Sequence, residues 1–243
     1  MKNFKQISLF ALILFSLSIN IANAKTKWWK KLFSNKDKNN SELSTIDIGS
    51  AFKEALTIGA ENVVAQLGKV DGFNNDEAIH IPLPKNLKKA KKILKKIGLS
   101  DIVDDLELKL NRAAESAVPV AKDLFIQSIK DMTFDDVKTI YKGSDDSATR
   151  YFQEKMSTSL TEKMAPIVEN SLAEVGAIKS LNKVMDKYEN IPFVSEITPD
   201  LTAYVVDKGM EGIFYYLAKQ EAEIRKNPLK QTTELLKKVF GKK

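Results

Sequence analysis

The chain has 243 residues, with 38 Lys plus Arg against 32 Asp plus Glu, one His and no Cys. Without Cys there is no disulfide scaffold, thiolate nucleophile, thiolate metal site or lipid-modified N-terminal Cys. One His excludes a multi-histidine metal cage and leaves a Ser-His-Asp triad a single possible base, while ten Gly argue against the Gly-rich loops of nucleotide folds.

The first segment reads as an address. Lys2 and Lys5 precede an apolar run from Ile7 to Ile21, closed by Ala22-Asn23-Ala24. The run is shorter than the ~20 residues that span a bilayer, so residues 1–24 are expected to be a secretory signal peptide, the alternative being a retained anchor helix. The expected location is the periplasm, with a soluble or membrane-peripheral mature chain. Residues 25–45 have no core-forming period and read as a basic, aromatic tether. Residues 25–100 carry 15 bases and 8 acids, whereas residues 101–243 carry 21 and 24. The chain is basic at one end and mildly acidic at the other.

From there the helical period recurs and strand alternation does not. A first helix is expected from Ser50 to Leu67, stopped by a left-handed Gly68. The loop that follows carries Asp71, Gly72, Phe73, Asn74 and His80, and its Ile79-His80-Ile81 alternation permits a short strand at most. Asn86 to Ile97 is a Lys-rich helix with Leu87, Ala90, Leu94 and Ile97 on its apolar side. Ser100 is expected to cap a long helix to about Met132, kinked or broken at Pro119. Ala113, Ala114 and Ala117 share one face of it, which marks a central helix that partners approach closely. Glu107, Asn111 and Glu115 form a polar column along its flank.

Thr133 with Asp136 caps a short helix ending at Gly143. Ser144 or Asp145 starts the next segment, and a further helix is expected over Ser157–Val175 despite Pro166. Ala177 to Tyr188 follows. Thr198-Pro199-Asp200 signals a helix reaching about Arg225, and Asn227-Pro228 signals a last one to Gly241. The expected fold is all-α: one bundle of about nine helices over residues 46–243.

The stretches LNRAAESAVPVA, MTFDDVKTIYKGSDDSATRYF, GMEGIFYYLAKQEAEIRKNP and TTELLKKVFG, with DGFN and IHIPLP upstream, resemble a bacterial exported family known only as domain of unknown function 4197. The resemblance runs from about Ser50 to Gly241 and implies an all-helical domain. It implies no reaction, cofactor or catalytic residue. Its recurring motifs fall at Asp71, Gly72 and Phe73; at Asn111, Arg112 and Glu115; at Asp146, Thr149 and Tyr151; and at Glu221, Arg225 and Pro228.

Two sets of residues are candidates for function. Asp71, Phe73, Asn111, Arg112, Glu115, Asp146, Tyr151, Glu221 and Arg225 would bind a polar or anionic ligand if they converged on a cleft. The competing reading is a set of ion pairs and caps that fix helix register. Trp28, Trp29, Lys30, Lys31 and Phe33 in the tether, with Lys88, Lys92 and Lys95 on the Lys-rich helix, would suit contact with an anionic membrane surface. For the tether the competing reading is an unstructured leader whose aromatics dock on the protein's own surface; for the helix it is a solvated face whose lysines pair with Asp101, Asp104 and Asp105 while Leu87, Leu94 and Ile97 enter the core. A hydrolase would need helix-borne carboxylates such as Glu115 with Asp146 or Glu221, but no nucleophile elbow, phosphate loop or metal-ligand spacing supports one.

The balance favours a non-catalytic envelope domain without metal or cofactor. It would bind a partner protein or an amphipathic or anionic small molecule. Nucleic acid is not expected, because Arg is scarce and the chain carries an export signal.

Overall fold

The computed structural model of the protein describes residues 45–189 and 199–226. They form an all-α bundle with no strand among the described residues. The helices are α1 (Thr45–Leu67), α2 (Lys88–Lys96), α3 (Ser100–Ala117), α4 (Ala121–Asp131), α5 (Phe134–Lys142), α6 (Ser147–Glu174), α7 (Ala177–Glu189) and α8 (Leu201–Lys226). That is eight α-helices among the described residues where about nine were expected. The helix expected after Asn227-Pro228, like the signal peptide and most of the tether, lies outside them.

α3 is the hub. Ala113, Ala114 and Ala117 are fully buried, and α2, α6, α7 and α8 all pack against α3. Small side chains let these partners come close, as the alanine spacing predicts. α6 and α8 pack along each other, and α1 lies across α4 and α8. Phe125 of α4 meets Phe152 of α6 and Phe214 of α8 edge-on, with ring centroids 5.5 and 6.3 Å apart. Such edge-to-face pairs add to the apolar burial that holds the bundle.

Several expected boundaries move, each for a local reason. Pro119 breaks the long helix outright, through a 3-10 turn at Val118–Val120 that separates α3 from α4. Pro166 does not break α6, which runs unbroken from Ser147 to Glu174 where two segments were expected. Pro166 sits on the exposed side of that helix, so the carbonyl it leaves unpaired faces water. Ser100 is not the cap of α3; Leu99 holds that position, and the Ser100 hydroxyl turns to Asp101. Thr133 and Asp136 do form a reciprocal capping box at the start of α5. At α8 it is Asp200 that caps, its carboxylate accepting the Ala203 N–H at 2.9 Å, while Thr198 lies outside the described residues. Gly68 does not take the left-handed stop. Positive φ falls instead on Asp71 (67°), Gly98 (79°) and Gly176 (71°).

Candidate functional site

The segment between α1 and α2 is built of turns that end in a 3-10 turn at Lys85–Leu87, and the polar column of α3 holds it by its main chain. Oε1 of Glu115 accepts the N–H groups of Phe73 at 3.0 Å and Asn74 at 3.1 Å. Four residues earlier, the Asn111 amide accepts the Ile81 N–H and donates to the Ile81 carbonyl, both at 2.9 Å. This reproduces the two-bond exchange of a β-pair with a side chain in place of a strand; Ile79 itself lies in a turn that the His80 N–H closes on the Asp76 carbonyl at 2.8 Å, so the short strand that the alternation permits does not form. One further turn back, Glu107 accepts the Leu83 N–H at 3.3 Å and an N–H of the Lys91 ammonium.

The loop's own side chains complete the tie. Arg112 donates to Oε2 of Glu115 at 2.6 Å and to Asp71 at 2.7 Å. The Arg112 guanidinium, with a further hydrogen bond from Asn74, holds the Asp71 carboxyl below its ordinary value. Gly72 has no room for a Cβ, which would collide with the Leu67 carbonyl. Phe73, fully buried, lies on the bare backbone of Gly212 in α8; a Cβ there would stand 2.6 Å from the ring. The run Asp71-Gly72-Phe73 therefore has a physical reason at each position: an ion pair at positive φ, a steric gap and an apolar anchor.

His80 joins the same seam. Its Nδ1 lies 2.9 Å from the Asn74 carbonyl and its Nε2 3.0 Å from Glu107. Both partners are acceptors, so the ring satisfies both only when it carries two N–H groups. Burial pushes the Glu107 carboxyl up, but hydrogen bonds from Lys91 and His80 outweigh it, and the net shift is downward. On the α8 side, Tyr204 donates to the Pro82 carbonyl at 2.8 Å and Tyr216 donates to Asp76. The Asp76 bond and burial push the Tyr216 hydroxyl up to about 12.

Glu221 and Arg225 form a second tie at the α5–α6 corner. The Glu221 carboxylate accepts the N–H groups of Ala148 and Thr149, each at 2.9 Å, and the Thr149 hydroxyl at 3.0 Å. Asp146, the residue before α6, makes no side-chain cap there. A carboxylate from another helix takes that place, at an N-terminus whose orphan N–H groups favour negative charge. Arg225 donates to Glu221 from Nε and Nη2, at 3.1 and 2.8 Å. It also reaches the Ile140 carbonyl at 2.9 Å and the Tyr141 carbonyl at 3.3 Å, at the last turn of α5. One i,i+4 pair thus seals the C-terminus of one helix and the N-terminus of the next.

Of the residues expected to share a ligand site, the structure brings together Asp71, Phe73, Asn111, Arg112 and Glu115, and separately Glu221 and Arg225. Asp146 pairs on the surface with Arg150 at 2.8 Å. Tyr151 packs edge-on against Phe152, centroids 5.7 Å apart, and burial raises its hydroxyl's pKa. Neither joins the buried ties. A cleft lined by Leu56, Gly59, Phe152, Leu217 and Gln220 opens above Glu221, with room for about one water. Among the described residues, no group of three or more His, Asp and Glu is placed to hold a metal ion.

The Lys-rich helix behaves differently. Leu87, Ala90 and Leu94 are fully buried, whereas Ile97, expected in the core, is 58% exposed at the helix end. Lys95 pairs with Asp104 at 3.3 Å and Lys91 with Glu107. Asp105 is taken instead by Lys109 at 2.8 Å and by the Ser180 hydroxyl at 2.5 Å. Trp28, Trp29, Lys30, Lys31 and Phe33 lie outside the described residues.

Sequence reasoning does not find the roles of Asp76, Gly212, Tyr216 and Ser180. Each acts on a partner far along the chain, and only Gly212, inside an amphipathic helix, leaves a local trace.

A helical bundle whose interior charges are spent on its own main chain is the class of protein these observations define. The chain belongs to the family of proteins of unknown function DUF4197, whose model matches residues 42–241. No curated protein and no solved structure matches it.

Proposed function

We propose that the protein is a non-catalytic binding or interaction domain of the bacterial cell envelope, exported by residues 1–24. One observation carries the reading. The carboxylates a hydrolase would use, Glu115 and Glu221, are almost fully buried and already accept main-chain N–H groups and an Arg. A general acid or base must reach a proton on substrate, and these two face the protein's own backbone. The positive N-terminus, the apolar run and the Ala22-Asn23-Ala24 site support export.

Native mass spectrometry of the protein purified from its own envelope tests the reading. The expected result is a chain beginning at Lys25 that retains a partner protein or an amphipathic molecule. Hydrolysis of an ester or phosphate substrate that Glu115→Gln or Glu221→Gln abolishes, at a temperature where the variant remains folded, would overturn it.

A further inference from the structure

The charges of α2 are the one large set on a described helix that the fold leaves unspent. Its sequence KKAKKILKK holds six lysines and no acid. Lys91 and Lys95 have partners on α3. Lys85, Lys88, Lys89, Lys92 and Lys96 are exposed, and their side chains make no hydrogen bond or ion pair with the described residues. α7, packed against α2, adds exposed Lys179, Lys183 and Lys187 at intervals of four. On α3, packed against α2, Asp104 is engaged by Lys95, Glu107 by Lys91 and Asp105 by Lys109, while Asp101 and, on α7, Asp186 are exposed acids among these lysines.

We infer that the exposed face of α2, ending in Ile97, docks the protein onto an anionic phospholipid surface. This rests on the envelope-binding reading above and names its partner. Three features select a bilayer surface over a discrete phosphate or a nucleic acid. The face presents only ammonium groups, which answer diffuse negative charge without fixed geometry. The chain's three Arg, the residues that grip single phosphates by their planar forks, are all committed: Arg112 to Asp71 and Glu115, Arg150 to Asp146, Arg225 to Glu221. And an isoleucine stands exposed where the lysine row stops, suited to the boundary between headgroups and acyl chains.

The test uses the chain from Lys25 onward and vesicles of phosphatidylethanolamine with 30% phosphatidylglycerol. Because the chain has no Cys, an Ile97→Cys variant carries a single environment-sensitive dye at that position alone. The expected result is binding that weakens as salt rises, with a blue shift of the dye. The triple variant Lys89→Gln, Lys92→Gln, Lys96→Gln should bind on the order of a hundredfold more weakly, about fivefold per lysine, while removal of residues 25–33 leaves the dye shift in place.

Four results would overturn the inference: no binding; binding that the triple variant retains in full; binding lost with residues 25–33 alone; or a preference for soluble polyphosphate over the vesicles. None of these touches the non-catalytic reading, which fails only on turnover.

Discussion

Two regions of this bundle carry charges at helical spacing, and they use them in opposite ways. Along α3 and α8, Glu115, Arg112, Glu221 and Arg225 are turned inward and satisfied by backbone and by one another. On α2 the lysines are turned outward and most meet only water. A buried charge is tolerated only when hydrogen bonds replace its hydration, so the inward set must be structural to exist at all. An exposed lysine carries no such demand, and its position is free to serve an encounter. In this protein the charged residues that look most like a site do the work of strands and caps.

The sharpest break of that comparison is Glu221→Ala. It leaves the Arg225 guanidinium buried without its counter-ion and the α6 N-terminus uncapped, for an expected loss of about 3–5 kcal/mol in chemical denaturation. Asn111→Leu comes next. The Ile81 N–H and carbonyl both lose their partner in a dry site, an expected cost of about 2–3 kcal/mol read the same way. Gly212→Ala forces a methyl against the Phe73 ring and should cost about 1–3 kcal/mol by overpacking.

A smaller effect concerns acid. The Glu107 carboxyl is lowered in the folded protein from an ordinary value of 4.5. Its contribution is therefore complete above that value and fades as pH falls through the lower, folded one. Stability should rise with pH across the acid range, and Glu107→Gln should flatten that part of the slope in pH-dependent unfolding. The smallest expected effect sharpens the comparison from the other side. Lys89→Gln, Lys92→Gln and Lys96→Gln together should move stability by no more than about 0.5 kcal/mol, because nothing in the fold leans on them.

Much of the fold was legible in the sequence because it is written in local terms. The Thr133–Asp136 box and the α3 alanines each follow from residues a few positions apart, and so does the buried stripe Leu87, Ala90, Leu94. The ties were legible only by half. The spacing of Arg112 with Glu115 and of Glu221 with Arg225 announces their mutual pairs. It does not announce that Glu115 holds the backbone 41–42 residues upstream or that Glu221 caps a helix 72–73 residues upstream. A main-chain N–H has no side-chain signature, so a carboxylate serving one looks in sequence like a carboxylate awaiting a ligand. Gly68 misled for a related reason. Its helix continues into a loop fixed from outside, and the strain of the turn falls on Asp71, where Arg112 is waiting.

Amide hydrogen exchange along residues 71–84 tests the central claim most directly. The N–H groups of Phe73, Asn74, Ile81 and Leu83 lie outside any helix, yet Glu115, Asn111 and Glu107 bind them. If the α3 column is a clamp, these amides exchange only with global unfolding, as slowly as the buried turns of α3. Exchange at the rate of an open loop, while α3 itself stays protected, would show that the column holds nothing and that its charges are free for another task.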